Sequence, residues 1–159
     1  MRRLFQWRGH PWVSLPVRLY IGMVFLLACP HKILHPAQFA LDIAMYQVLP
    51  LELINLQAIV LPWVELFAAV MILVGFRTRA AAALIAGMMV MFIIALVIAL
   101  GHGLEMGCGC FASEGGDDPI SWRTVVRDAI WLVMGLYILV FDHDPIGVDR
   151  LIGKESEDG

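Results

Sequence analysis

The chain has 159 residues, of which 60% are hydrophobic and only 16% charged, and its formal net charge is −3. A soluble domain keeps roughly a quarter of its residues charged to cover its surface, so this composition argues against a soluble domain and for a lipid bilayer as the partner. The negative net charge, with no basic stripe interleaved with aromatic residues, argues against nucleic acid as a partner.

Four apolar stretches each approach the length that a membrane-spanning helix needs, roughly 20 residues. Backbone groups in lipid must be satisfied within the segment, so each stretch is predicted to be a helix. The sequence therefore predicts an all-α fold, a four-helix transmembrane bundle in a single domain of residues 1–145, followed by a tail of residues 146–159 whose end is predicted to be disordered. In chain order, the predicted spans are about 15–29, 56–75, 80–100 and 122–141.

The segments between the spans carry turn and capping signals. Pro30 and Pro36 are predicted to end the first helix, and residues 37–46 have the mixed polarity of a short helix lying at the membrane interface. Residues 75–79 form a tight connector between the second and third spans, and Ser121 is predicted to cap the last helix.

Positive charges lie mainly on one side of this arrangement. Cytoplasmic loops carry an excess of Lys and Arg, so both termini are predicted to be cytoplasmic in a bacterial inner membrane. The loop of residues 101–121 is then predicted to face the oxidising periplasm. One side holds Arg2, Arg3, Arg8, Arg18, Arg77, Arg79, Arg150 and Lys154, and the other holds Lys32, Arg123 and Arg127.

The N-terminus permits a second interpretation. Arg2 and Arg3, followed by an apolar run that ends at Cys29, resemble a lipoprotein signal with a cleavage site before that cysteine. Cleavage would leave three spans and reverse the side of one end. The favoured interpretation is an ordinary first helix that ends in a small residue and a cysteine.

The most informative motif is Cys108-Gly109-Cys110 in the long polar loop. The glycines leave the backbone free to bring the two sulfurs together, and a disulfide across so small a ring departs from relaxed geometry and is easily reduced. Strained, exposed disulfides tend to be catalytic or regulatory, so thiol–disulfide exchange is the leading prediction for Cys108 and Cys110. The alternative is a disulfide that only stabilises the loop, or two thiols without a special role. Cys29 is predicted to lie on the same side, either as a third thiol that relays the exchange or as a buried small hydrophobe.

Soft-metal binding is the main competing prediction for the same loop. His102, Met106, Cys108 and Cys110 lie within nine residues of one another, and thiolate with thioether suits an ion such as Cu(I). Zinc would need further ligands at recognisable spacing, and the loop of residues 101–121 has no second Cys or His pair. The leading prediction therefore assigns no metal.

Ionisable groups inside a bilayer are costly and usually mark either an ion pair or a function. Glu65 lies well inside the second span, and Arg127 or Arg18 is predicted to approach its depth. In one interpretation such a pair fixes helix register. In the other, Glu65, Arg127 and Asp128 form a polar pocket for a membrane quinone headgroup or a proton. Arg123 is expected to extend to lipid phosphate.

Short sequence elements follow a fixed order along nearly the whole chain, from Arg18 to Phe141. This ordered set resembles the MauE branch of the DoxX-like membrane proteins. Its elements are Arg18, Gly22, Phe25, Lys32, Pro36-x-x-Phe39, Tyr46 to Leu49-Pro50, Leu61-Pro62-Trp63, Glu65-Leu66, Gly75, Arg79, Cys108-Gly109-Cys110-Phe111 and Arg127-Asp128.

The resemblance implies a four-helix membrane bundle with a redox-associated role. MauE is tied to maturation of methylamine dehydrogenase, whose small subunit needs many disulfides, and DoxX and DoxD relatives are linked to thiosulfate oxidation or to membrane oxidoreductase complexes. The resemblance implies that Cys108 and Cys110 are redox residues, and that Glu65, Arg127 and Asp128 are framework polar residues.

These observations together predict thiol–disulfide chemistry on the periplasmic face that assists maturation of a partner. The expected partner is a periplasmic thiol or disulfide protein, or the subunits of a membrane complex. If the chain is an enzyme, it is expected to be a thiol–disulfide oxidoreductase linked to a membrane quinone. Two alternatives from other classes stay open: soft-metal binding or transfer, and a non-catalytic accessory subunit of a larger membrane complex.

Overall fold

The computed structural model describes residues 10–104, 120–142 and 147–148. Within these ranges the chain forms helices and no strands, which confirms the all-α prediction. The five helices are α1 (His10–Leu34), α2 (Pro36–Met45), α3 (Leu51–Val74), α4 (Thr78–Gly101) and α5 (Trp122–Phe141).

Four helices, α1, α3, α4 and α5, are long and apolar enough to cross a membrane. Their outward faces are apolar, and Leu27, Phe67 and Val133 are 66%, 63% and 64% exposed. A soluble helical protein shows the opposite pattern, with its apolar stripe buried and its charged face in water. The chain is therefore a multi-pass membrane protein whose outer faces are covered by lipid.

Successive spans are antiparallel: α3 and α4 are joined by a short turn, and contacts link the start of α1 to the end of α3 and the start of α4 to the end of α5. The turn after α3 uses Gly75 and Arg77, whose φ values are 77° and 43°, and the Gly75 N–H donates to the Met71 carbonyl oxygen as α3 ends. Arg79 Nε then donates to the Leu139 carbonyl oxygen over 3.3 Å, which joins the start of α4 to the end of α5. We call this end of the bundle the connector end, and the opposite end, which carries α2, the α2 end.

The first helix continues beyond its expected end. α1 runs through Pro30 to Leu34, so the prediction that Pro30 ends the helix is wrong. Proline removes one backbone hydrogen bond, but membrane helices tolerate it because surrounding groups satisfy the freed backbone. The extra turn carries Lys32 into the helix bundle. Pro36 instead begins α2, where its missing N–H costs nothing.

One other local prediction is confirmed, and a second is confirmed only in position. A short helix was expected over residues 37–46, and α2 occupies Pro36–Met45 with the aromatic ring of Phe39 buried beneath it. Ser121 occupies the N-cap position of α5, although its hydroxyl makes no capping hydrogen bond.

A second hydrophobic cluster lies at the α2 end, beyond the main core between the spans. Its buried members include Tyr46 at the end of α2, Leu96 of α4 and Ile120 just before α5, and Leu104 packs against them. Leu104 and Ile120 flank the segment of residues 105–119. The two described residues that flank this segment therefore lie at the α2 end of the bundle.

The helices α1 and α3 approach each other closely at Gly22. A Cβ atom at this position would lie 2.6 Å from Leu73 Cγ and 2.9 Å from Ile72 Cγ2. Small residues at such contacts let two membrane helices pack backbone to backbone. Gly22 is therefore required by the packing of α1 on α3.

We expect Gly22→Ala to destabilise the protein by about 1–3 kcal/mol, because the added methyl group overpacks this contact. Gly87→Ala is the matched control: a Cβ at Gly87 of α4 would meet nothing within 4 Å, and alanine is favoured over glycine in a helix by roughly 0.5–1 kcal/mol. Thermal unfolding of the two purified variants in the same detergent compares them. Equal stability of the two variants would contradict the close contact.

Candidate functional site

A buried ion pair joins α1 to α3. Lys32 Nζ lies 3.0 Å from Glu65 Oε1 and 2.8 Å from Oε2, and the two side chains are only 8% and 9% exposed. The same ammonium lies 5.2 Å from the centre of the Phe39 ring, a distance at which a cation is attracted to the ring face. Lys32 therefore links three helices, α1, α2 and α3.

The pairing of Glu65 differs from the sequence prediction. The expected approach of Arg127 or Arg18 to Glu65 is wrong, because the continuation of α1 through Pro30 brings Lys32 to that carboxylate instead. The sequence did contain a signal, since Lys32 is one of only two lysines in the chain and lies near the end of an apolar stretch. Long basic side chains at such positions reach several ångströms along the helix axis.

Arg18 belongs to a separate buried cluster at the connector end. Its Nε and Nη2 atoms donate to the Ile72 carbonyl oxygen over 3.2 Å and 3.0 Å, and Nη1 lies 3.6 Å from Asp142 Oδ2. The Ser14 hydroxyl donates to Asp142 Oδ1 over 3.2 Å. Ile72 lies in the last turn of α3, where carbonyl groups lack a helical partner. This cluster links α1, α3 and the end of α5. No pattern in the sequence indicated the roles of Ser14 and Asp142.

Arg127 and Asp128 lie side by side on α5 but differ in exposure. Arg127 Nε donates to Asp128 Oδ1 over 3.0 Å, and the guanidinium lies 4.7 Å above the Trp131 ring. The Arg127 side chain is 38% exposed, whereas that of Asp128 is fully buried. Asp128 Oδ2 has no hydrogen-bond partner among the residues that the structure describes. Arg123, one turn earlier, is exposed.

A cavity of about 160 Å³ lies between the helices in the half of the bundle nearer the α2 end. Glu65 and Asp128 both line it, as does Lys32, whereas Arg127 is not among its lining residues. Most of the wall is apolar, and all five helices contribute to it. Representative apolar lining residues are Phe25, Ile43, Leu61, Met88, Phe92 and Trp131, and further polar ones are Asp42, Tyr46 and Gln57.

The structure describes one of the three cysteines. Cys29 is 1% exposed, and its Sγ donates to the Phe25 carbonyl oxygen over 2.9 Å. Cys108 and Cys110 lie outside the described residues, as does Met106 of the alternative metal site. His102 follows the last residue of α4, and within the described ranges no three His, Cys, Asp or Glu side chains are grouped to hold a metal.

Comparisons with known proteins agree on one family. The family model described as methylamine utilisation protein MauE matches residues 10–141. The chain is 31% identical over 130 residues to the methylamine utilization protein MauE of Paracoccus denitrificans, covering 81% of this chain and 69% of that protein. It is 29% identical over 141 residues to MauE of Methylophilus methylotrophus, covering 88% and 74% of the two chains. For MauE of Methylorubrum extorquens the identity is 33% over 122 residues, with coverage of 76% and 65%. No solved structure matches the chain.

Proposed function

The chain belongs to the MauE family, and from that premise we propose that it performs thiol–disulfide exchange at the periplasmic face of a bacterial inner membrane, with Cys108 and Cys110 as the exchanging pair. The names of its relatives refer to methylamine utilization. We therefore take the partner to be a periplasmic protein or enzyme complex of that process whose thiols must be oxidised as it matures.

The observation that best supports this proposal is the anchoring of the segment that carries the two cysteines. Leu104 and Ile120 pack with Tyr46 at the α2 end. A chain of four residues spans at most about 14 Å, so Cys108 stays within that distance of Leu104. We propose that a soluble partner reaches the pair at this end of the bundle.

The charges at the α2 end support its assignment to the periplasm. Of the three cations predicted for that side, Lys32 is paired with Glu65 and Arg127 with Asp128. Arg123 is then the exposed cation described at the α2 end, whereas exposed Arg77 and Arg79 lie at the connector end. Since cytoplasmic loops retain positive charge, both termini are assigned to the cytoplasm.

The proposed exchange starts from the Cys108–Cys110 disulfide. A thiolate of the partner attacks one sulfur and forms a mixed disulfide, and the second partner thiolate then displaces it. The partner leaves with a disulfide and the chain retains two thiols, so two electrons and two protons have moved to Cys108 and Cys110.

Cys29 is the third thiol in this proposal. Its Sγ is buried and bonded to the Phe25 carbonyl oxygen, so it exchanges only if the turn of α1 around Pro30 opens. Replacing Cys29 with serine therefore slows the exchange less than replacing either loop cysteine.

We expect a Cys108→Ser or a Cys110→Ser variant to accumulate a mixed disulfide with the oxidised partner, because the remaining thiolate attacks the partner's disulfide, the reverse of the proposed exchange, and no second loop cysteine is left to resolve the mixed disulfide. The double variant should trap nothing, and its rate of partner disulfide formation should fall at least about tenfold. Non-reducing gels and mass spectrometry of the trapped species measure both effects.

The matched control replaces the other two residues of the alternative metal site. A His102→Ala, Met106→Leu variant should exchange disulfides as the unmodified protein does. Unchanged partner oxidation in the double cysteine variant would contradict the proposal. Loss of exchange in the control, together with tight Cu(I) binding by the reduced unmodified protein, would favour the metal function instead.

A further inference from the structure

The cavity between the helices has the volume of one aromatic ring. It measures about 160 Å³, and an apolar protein cavity of about 150 Å³ is known to bind benzene. Its walls include the rings of Phe25, Phe92 and Trp131. A flat six-membered ring therefore fits the space.

The polar groups of the cavity call for a ring with oxygen substituents. Asp128 is fully buried and lines the cavity, and its Oδ2 has no hydrogen-bond partner among the described residues. Leaving a buried polar atom without a hydrogen bond is costly, and an acyl chain or a plain hydrocarbon ring would not relieve that cost. A hydroxyl on the ring would donate to that oxygen.

Lys32 supplies the complementary group. An ammonium carries three N–H donors, and two contacts, to Glu65 Oε1 and Oε2, are formed. The remaining donor is available to a carbonyl oxygen of a ligand in the cavity that Lys32 lines. A cation at this position also stabilises negative charge that develops on such an oxygen as the ring is reduced.

The cavity lies close to the anchors of the segment that carries the proposed thiols. Tyr46 lines the cavity and packs with Leu104 and Ile120. After the proposed exchange, Cys108 and Cys110 hold two electrons that must leave before another cycle. An acceptor reached from the lipid phase, in the same half of the bundle, would take them.

We infer that this cavity binds the headgroup of a one-ring quinone from the membrane and that the quinone reoxidises the chain's dithiol. This inference rests on the proposed function for its electron donor. The reaction balances. Two thiols lose two protons and two electrons and form one S–S bond. The two quinone carbonyls gain those two protons and two electrons and become hydroquinone hydroxyls. Lys32 holds one carbonyl of the oxidised ring, and Asp128 accepts from one hydroxyl of the reduced ring.

The test is binding of decylubiquinone and of its reduced form, decylubiquinol, to the protein in lipid nanodiscs, measured with the Cys108→Ser, Cys110→Ser double variant so that thiol chemistry plays no part. Ala95→Leu adds bulk to the cavity lining, and Ala83→Leu adds the same bulk to an exposed position of α4. We expect Ala95→Leu to raise the dissociation constant at least about tenfold and Ala83→Leu to change it less than about twofold. A Lys32→Met, Glu65→Leu variant, which removes the polar anchor without leaving a lone charge, should also weaken binding.

Two results would overturn the inference: no binding above that of empty nanodiscs, or equal binding by the Ala95 and Ala83 variants. Equal binding by these two variants is the result expected if water, and not the quinone, occupies the cavity and donates a hydrogen bond to Asp128. Neither result bears on the mixed-disulfide trap, which reports the proposed function alone. If the mixed-disulfide trap fails while quinone binding is retained, the proposed thiol chemistry is wrong and the ligand site stands.

Discussion

Lys32→Met is expected to destabilise the protein by about 3–5 kcal/mol, the usual cost of leaving one member of a buried ion pair without its partner. Glu65, whose side chain is 9% exposed in the pair, would lose the one cation that contacts its carboxylate among the described residues. Burial limits the hydration of this carboxylate, so its charge is neutralised or the helices separate. Thermal unfolding of the purified variant in detergent measures the loss.

The control removes both charges at once. Lys32→Met combined with Glu65→Leu leaves no uncompensated ion, and replacing a buried pair with hydrophobic residues is often neutral or stabilising. We expect the free energy of unfolding of the double variant to lie within about 1 kcal/mol of that of the unmodified protein, or to exceed it. Arg123→Met, at an exposed position of α5, should change stability by less than about 0.5 kcal/mol. A single variant as stable as the double variant would show that the pair is not sealed from water.

The architecture could be predicted because lipid leaves few alternatives. Long stretches with few charges must bury their backbone polar groups in helices, whatever their side chains. α4 illustrates this best, since the stretch of residues 80–100 contains no charged residue at all. The course of the backbone at Pro30 could not be predicted in the same way, because proline is a stop signal in water and a tolerated residue in a packed membrane helix.

The candidate site could be predicted only in part. Glu65 and Asp128 stood out as ionisable groups in apolar surroundings, and both line the cavity. Their partners depend on helix depth and on the reach of long side chains, which no local pattern encodes, so Lys32 was not connected with Glu65. The pairing of Arg18 with Asp142 joins residues at opposite ends of the sequence. The cavity itself results from the packing of five helices and leaves no signature in the sequence.

The proposed thiol–disulfide exchange depends most on Cys108 and Cys110 lying outside the cytoplasm. The most direct measurement treats intact cells with a mild reductant and then with a membrane-impermeant maleimide, using a Cys29→Ser background so that only the loop cysteines can react. The control is Arg77→Cys in a background that lacks all three native cysteines, because Arg77 is exposed at the connector end. We predict that the loop cysteines are labelled in intact cells and that the Arg77→Cys variant is labelled only after permeabilisation. The proposal would be contradicted if the Arg77→Cys variant were labelled in intact cells and the loop cysteines were labelled only after permeabilisation.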